Sequence, residues 1–370
     1  MDRKINVLLV VSSISGGGAE LVAVNLCRYL SRRHFEVHIL HLKEIGIRGR
    51  ALKEEGFSVL ELPPPRVRLG KYLSFLQLRK IVENYSIDII HSHNTDAFLE
   101  AALCKLSAPR VKWVHSFHYG NYPHLRRSYR LMERILWRLS TRLIAVGIEQ
   151  RRILQHLYGI TDTRITTIWN GVKKMPETIS QKYRFLRSDN DQKVRIGSIS
   201  TLIEQKGLLD LLAVAKWFRT NRAGQVQFFI VGDGPMRDEV SRSIQEQGLA
   251  DTVEMLGWIE NAAQEIFPHV DVFVQTSHWE AMSMVILEAM AAGVPIVATA
   301  VGDNRHVITD DECGFVIELG DWKDFIAKLD KLVASQSLRR KFSDNAYRRF
   351  RAVGTTDAMV KKHEQLYREL

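Results

Sequence analysis

The strongest constraint on how this chain of 370 residues folds is an alternation that runs through it twice. Residues 5–11 form a continuous β-branched and leucine run, the mark of a strand buried on both faces of a parallel sheet. A turn over 12–18 follows, and from Ala19 the apolar positions Leu21, Val22, Val24, Leu26, Tyr29 and Leu30 recur at helical spacing before the next strand, 36–41. Strand, glycine-rich loop, helix, strand is a right-handed crossover unit. The pattern continues with strands at 58–62, 87–91, 112–116 and 142–146 and helices at 72–85, 95–106 and 124–140.

A polar stretch containing Lys173, Lys174, Pro176, Ser188, Asp189, Asn190 and Asp191 interrupts the alternation and reads as a linker. The alternation then restarts. Strands are expected at 194–199, 226–231, 253–256, 272–275 and 295–298, with helices at 207–220, 236–247, near Gln264 and 284–292, and residues 335–370 read as helical throughout. The fold class predicted is α/β: two doubly wound, Rossmann-like parallel-sheet domains facing across a cleft. The expected divisions are 1–173, a linker at 174–192, 193–345, and a C-terminal helix at 346–370 packing back toward the first domain.

Composition narrows the class. Hydrophobic residues make up 45% and charged residues 25%, so disordered and fibrous readings fall away. No run approaches the ~18 apolar residues of a membrane span, and the three scattered cysteines fit neither a disulfide framework nor a metal knuckle, which points to a cytoplasmic setting. Residues 1–175 carry 28 Lys and Arg against 14 Asp and Glu, whereas the rest carries 24 against 28. A positive first half attracts anionic membranes, nucleic acid or polyphosphate substrates. No aromatic-interleaved basic platform supports the nucleic-acid reading.

The first loop, Ser15-Gly16-Gly17-Gly18-Ala19-Glu20, lets backbone amides and a helix N-terminus approach a phosphate or sugar; a tight packing turn is the plainer alternative. The dinucleotide pattern Gly-x-Gly-x-x-Gly is absent, because Leu21 and Arg237 stand where each candidate needs its third glycine, and a nicotinamide or flavin oxidoreductase is disfavoured. Glu280 in a loop and Glu288 two turns into the next helix could grip hydroxyls of a sugar and a ribose, with helix amides between them facing a pyrophosphate. As bare spacing this also fits a solvated face.

Their neighbours change that weighting. The stretches Ser200-Thr-Leu-Ile-Glu-Gln-Lys206-Gly207, Ile230-Val-Gly-Asp-Gly-Pro235, Val253-Glu-Met-Leu-Gly257-Trp258, Asp271-Val-Phe-Val and Ser277-His-Trp-Glu280 through Gly293-Val-Pro295 resemble the second domain of the retaining nucleotide-sugar glycosyltransferases of family 4, which have the GT-B fold. The first half contributes Gly16 to Glu20, Asp88-Ile-Ile-His91-Ser-His93, His115-Ser-Phe-His118 and Trp169-Asn170-Gly171-Val172 at matching places. The resemblance implies that Lys206 neutralises the donor diphosphate, that Glu288 holds the ribose, and that Glu280 holds donor-sugar hydroxyls and faces the anomeric carbon. It places Thr201 and the amides near Met282, Ser283 and Met284 in the nucleotide site. Gly17 and Gly18 would approach the phosphate, and His118 the sugar. His93 and Asn170 are lesser candidates; His91 and His115 read as structural.

The resemblance further implies transfer of a hexosyl unit with retention, a nucleotide-sugar co-substrate with UDP favoured, no metal and no separate cofactor, and a glycan or lipid-linked acceptor in cell-surface polysaccharide or glycolipid synthesis. Two departures bear on donor choice: Thr201 stands where many relatives place an arginine, which Arg305 could replace, and His306 where a glutamate is frequent. A nucleotide-sugar 2-epimerase of the same architecture and a non-catalytic binder remain open readings. In the helix expected at 124–140, Arg127, Arg130, Arg134, Arg138 and Arg142 fall on one face beside Arg126, with Leu131, Ile135, Leu136, Trp137 and Leu139 covering much of the rest. That face is either solvated or a peripheral contact with an anionic inner leaflet.

Overall fold

The computed structural model describes residues 3–62, 74–123, 126–176, 182–186 and 192–370. The chain divides into two compact units, one of the residues up to Gly171 together with Thr356–Leu370, the other Val172–Thr355. The first holds seven parallel strands: β1 (Ile5–Ser13), β2 (Phe35–Glu44), β3 (Ser58–Glu61), β4 (Ile89–His93), β5 (Lys112–Phe117), β6 (Arg142–Ala145) and β7 (Ile165–Thr167). Their order is β3-β2-β1-β4-β5-β6-β7. β1 is paired along both edges, with β2 (Val7 opposite Val37) and β4 (Val7 opposite Ile89), and its central side chains are buried on both faces. Leu8 and Val10 join one core with Ile90, Trp113 and Leu143, while Val7, Leu9 and Val11 join another with Ile39, Val114 and Ile144. A continuous apolar run is what a strand between two helical layers requires.

The second unit repeats the plan with β8 (Val194–Ile199), β9 (Val226–Val231), β10 (Val253–Gly257), β11 (Val272–Gln275), β12 (Ile296–Thr299) and β13 (Gly314–Ile317), ordered β10-β9-β8-β11-β12-β13. In each sheet the strand order reverses beside the first strand, between β1 and β4 and between β8 and β11. In open α/β sheets ligands bind outside the carboxyl ends of the strands at such switch points. The loops after these four strands carry most of the residues singled out from the sequence.

The short strands β7 and β13 and the helices Gly46–Glu54, Ile148–Tyr158 and Trp322–Ala334 do not figure in the sequence reading. Residues 335–370 form two helices, Gln336–Val353 and Thr356–Arg368, rather than one. The break falls at Gly354, whose carbonyl accepts from the Val172 amide at 2.9 Å. Of the expected C-terminal segment, only Thr356–Leu370 groups with the first unit; residues 346–355 and the described part of 174–192 group with the second.

The arginine-bearing helix also differs from expectation. It spans Arg127–Leu136 and passes into a 3₁₀ turn, Trp137–Leu139, while Arg142 opens β6 and so leaves the helical face. The expected start at 124–125 lies outside the described residues. Leu131 and Ile135 point outward, and the buried member is Glu133, which accepts from the Tyr158 hydroxyl at 2.7 Å.

Candidate functional site

In the second unit, β8 and β11 are neighbours, so the loops leaving them meet. The β8 loop ends in a 3₁₀ turn, Glu204–Lys206, and Gly207 then adopts a left-handed conformation (φ 59°) to start the helix Leu208–Asn221. This turn seats Lys206 against the β11 loop. Lys206 Nζ lies 2.6 Å from Glu280 Oε1, and the same oxygen accepts from Ser277 Oγ at 2.8 Å. Gln205 Nε2 donates to the Trp279 carbonyl at 2.8 Å, and the His278 amide to the Gln205 carbonyl at 2.7 Å. Glu280 is only 9% exposed, so its charge is compensated within the loop cluster.

Gly207 is the residue that permits this. A Cβ there would stand 2.1 Å from the Thr276 carbonyl oxygen, and the Thr276 hydroxyl donates to the Gly207 carbonyl at 2.8 Å. Gly207→Ala combines a left-handed non-glycine residue with a backbone clash, and a loss of about 2–5 kcal/mol is expected. Urea unfolding checks this; a midpoint equal to wild type would show that the two loops are less tightly joined than described.

The helix Met284–Ala291 begins one turn after Glu280, capped by Ser283, whose Oγ accepts from the Ile286 amide. Ser283 is held in turn by Gln275 Nε2 at 2.8 Å, and Gln275 by Asn304 Nδ2 at 3.0 Å. Met282 and Ser283 are buried, Met284 and Glu288 partly so. Thr201 is exposed on the β8 loop. Arg305 pairs with Glu318, so its charge is already engaged, and His306, partly buried, accepts through its carbonyl from Arg349.

In the first unit, Gly17 caps the helix Gly18–Tyr29, and a Cβ on it would stand 2.1 Å from a carboxylate oxygen of Glu20. That side chain folds over the loop and reaches Asn94, whose amide nitrogen donates to it at 3.4 Å. Beyond β4 and β5, His93 Nδ1 and His118 Nε2 lie 2.9 Å apart with their rings stacked. Burial, aided by the neighbouring His363, pushes the His118 pKa down to about 3, and burial holds His93 well below its usual value. Both rings are neutral near pH 7, and His118 is a hydrogen-bonding group rather than a cation. His91 and His115 are fully enclosed: His91 bonds Tyr367 and Ser116, and His115 bonds Ser92. Asn170 is buried.

A cavity of about 250 Å³ opens beside His118, walled by Asn94, Phe117, Tyr119, Tyr122 and Glu133. Of these only Phe117 falls in a stretch singled out from the sequence, His115-Ser-Phe-His118. Asn94 carried one signal, an asparagine directly after a His-x-His strand end, and it takes a left-handed backbone (φ 68°) as it enters the helix Asn94–Ser107. Aromatic faces beside a carboxylate and an amide suit a sugar ring, which offers both C–H surface and hydroxyls.

Residues 16–174 match the family described as Glycosyltransferase Family 4, and residues 180–349 match glycosyl transferases group 1. The chain is a family 4, group 1 glycosyltransferase. Its two parallel-sheet units are those of the GT-B fold. It is 28% identical over 278 residues to the Escherichia coli UDP-Gal:alpha-D-GlcNAc-diphosphoundecaprenol alpha-1,3-galactosyltransferase, covering 72% of this chain and 71% of that one. It is 24% identical to N-acetyl-alpha-D-glucosaminyl L-malate synthase of Bacillus anthracis over 95% and 94% of the two chains. The solved structure of Anabaena Alr3699/HepE in complex with UDP superposes with a TM-score of 0.85 at 20% identity, covering 99% of this chain and all of that one.

Proposed function

We propose that this glycosyltransferase moves a hexosyl unit, with retention of configuration, from a UDP-sugar to a glycan or lipid-linked acceptor in cell-surface polysaccharide or glycolipid synthesis. The observation that carries the reading is the Lys206–Glu280 pair at the β8/β11 switch point, one turn before a capped helix N-terminus. Lys206 and the amides of Met284 and its neighbours supply positive charge where a nucleoside diphosphate departs, and Glu288 supplies a carboxylate for the ribose. A relative named for UDP-Gal and a solved structure holding UDP favour the same donor, and CapM of Staphylococcus aureus, named for capsular polysaccharide biosynthesis, favours a cell-surface product.

In this reading the bond from the anomeric carbon to the diphosphate oxygen breaks as Lys206 leaves Glu280 for the phosphate. Glu280, released, takes donor-sugar hydroxyls. The acceptor oxygen bonds to the same face of the anomeric carbon, and its proton passes to the departing phosphate oxygen. In the first unit neutral His118 is a hydrogen-bond donor for a sugar hydroxyl, and the cavity beside it receives the terminal ring of the acceptor. Charge neutralisation rests on Lys206 and helix amides rather than on a divalent cation, so a chelator should leave the rate unchanged.

The test is nucleotide release across UDP-, GDP- and ADP-sugars, with and without a membrane-lipid extract. Release that requires a UDP-sugar and rises with extract supports the reading. Conversion of the sugar with no acceptor present would make the protein a 2-epimerase, and binding without turnover across a broad acceptor panel a non-catalytic binder.

A further inference from the structure

The helix Arg127–Leu136 packs Met132 and Leu136 on the core, yet its outer face sets two large aliphatics among arginines. Arg127, Leu131, Arg134 and Ile135 stand at positions i, i+4, i+7 and i+8, which share one face. Leu131 is 60% and Ile135 55% exposed, and Arg127 and Arg134 are exposed beside them. The polar residue Glu133 is on the buried side, fixed by Tyr158, so the helix cannot roll its leucine and isoleucine inward without burying arginines and expelling that bond. Arg138, on the following 3₁₀ turn, extends the face and lies over the Trp137 ring.

A solvated arginine face normally finds carboxylates. Here, among the described residues, Arg127, Arg130, Arg134 and Arg138 pair with none, although Arg151 and Arg152 on the nearby helix Ile148–Tyr158 each have a partner. Unpaired arginines around large exposed aliphatics match a surface that is anionic at its headgroups and apolar just beneath, where the aliphatics enter the acyl boundary and the guanidinium groups remain with phosphates. The excess of basic residues in the chain up to residue 175 adds long-range attraction of the same sign. No helix among the described residues is long and apolar enough to cross a bilayer.

We infer that this face docks the protein on an anionic phospholipid bilayer, with Leu131 and Ile135 inserted and Arg127, Arg134 and Arg138 on lipid phosphates. The docking stands on the face itself and not on the transferase reading, so vesicle binding and donor turnover are measured separately. The full-length protein is sedimented with vesicles of phosphatidylcholine alone and of phosphatidylcholine with phosphatidylglycerol. Binding is expected only with the anionic vesicles, and the double variants Leu131→Ser/Ile135→Ser and Arg127→Glu/Arg134→Glu should each weaken it by roughly tenfold or more. Added salt should weaken the wild type and the serine variant, but change the glutamate variant little. Turnover on a water-soluble acceptor should stay at the wild-type level in both variants, since neither touches the cavity.

Equal binding to neutral vesicles, or anionic binding that survives both double variants, would overturn the inference. So would concentration-dependent self-association without vesicle binding that the serine variant abolishes, which would make a second copy of the chain the occupant.

Discussion

Replacing Lys206 with alanine is expected to lower kcat/KM for the nucleotide-sugar donor by about 10²–10³, the cost of deleting one preorganised charge from a diphosphate leaving-group site. The reason lies in the Lys206–Glu280 contact of 2.6 Å. On the proposed reading this is where the donor phosphate arrives, and the largely buried Glu280 carboxylate holds the lysine there. Alanine therefore removes two things: the cation on the leaving group, and the partner that makes burial of Glu280 tolerable. Lys206→Ala should accordingly lower the unfolding midpoint as well as the rate. Lys206→Arg should recover the stability more fully than the turnover, because a planar fork does not reproduce the point charge of an ammonium group.

Glu280→Gln separates the two roles. It keeps the shape and the Ser277 hydrogen bond, frees Lys206, and should leave donor affinity close to wild type while kcat falls. Because the two side chains touch, the double variant Lys206→Ala/Glu280→Gln should cost much less than the sum of the single losses. Additive losses would mean that the ion pair is not the unit that acts on the donor. Calorimetric donor binding, read beside turnover, distinguishes a site that no longer binds from one that binds and does not react.

The contact at the centre of that prediction shows where the sequence stops being informative. The apolar run in β1 and its counterparts made the parallel sheets legible, since a strand covered on both faces has no polar side to display. Motif resemblance singled out Lys206 and Glu280. Their direct contact, across 74 residues of sequence, depends on β8 lying beside β11, and strand order follows from crossover connections that local composition does not encode. The strand β7 escaped because three residues show no period. The arginine face was legible and is exposed at Arg127, Arg134 and Arg138, with Leu136, Trp137 and Leu139 toward the core; what periodicity did not show is that Leu131 and Ile135 lie outside while Glu133, bonded by Tyr158, lies inside. The cavity residues Asn94, Tyr119, Tyr122 and Glu133 come from three separate segments, so no single motif contains them.

The first unit should be acid-labile, for a reason also assembled from distant segments. His91 and His93 on β4, His115 on β5 and His363 on the helix Thr356–Arg368 are buried close together, and His118, just beyond β5 and partly buried, stacks on His93. Burial lowers every one of these pKa values, and neighbouring histidines lower those of His91, His93, His115 and His118 further. The pKa reaches about 3 for His118 and, by burial, about 4 for His363.

An unfolded histidine titrates near 6.5. Below that pH the unfolded chain takes up protons that the folded unit refuses, so stability is complete above about 6.5 and falls as the pH drops toward the folded values. At pH 5 each such group costs about 2 kcal/mol, and His118 and His363 alone lower the unfolding midpoint by roughly 10 °C relative to pH 7. Thermal unfolding at a series of pH values measures this, with potentiometric proton uptake on unfolding as an independent count. His363→Gln should remove close to one proton from that uptake and flatten the pH dependence in proportion. A midpoint that does not move between pH 7 and pH 5 would mean that the folded histidines accept protons, and that His118 is then a cation rather than a neutral hydrogen-bonding group.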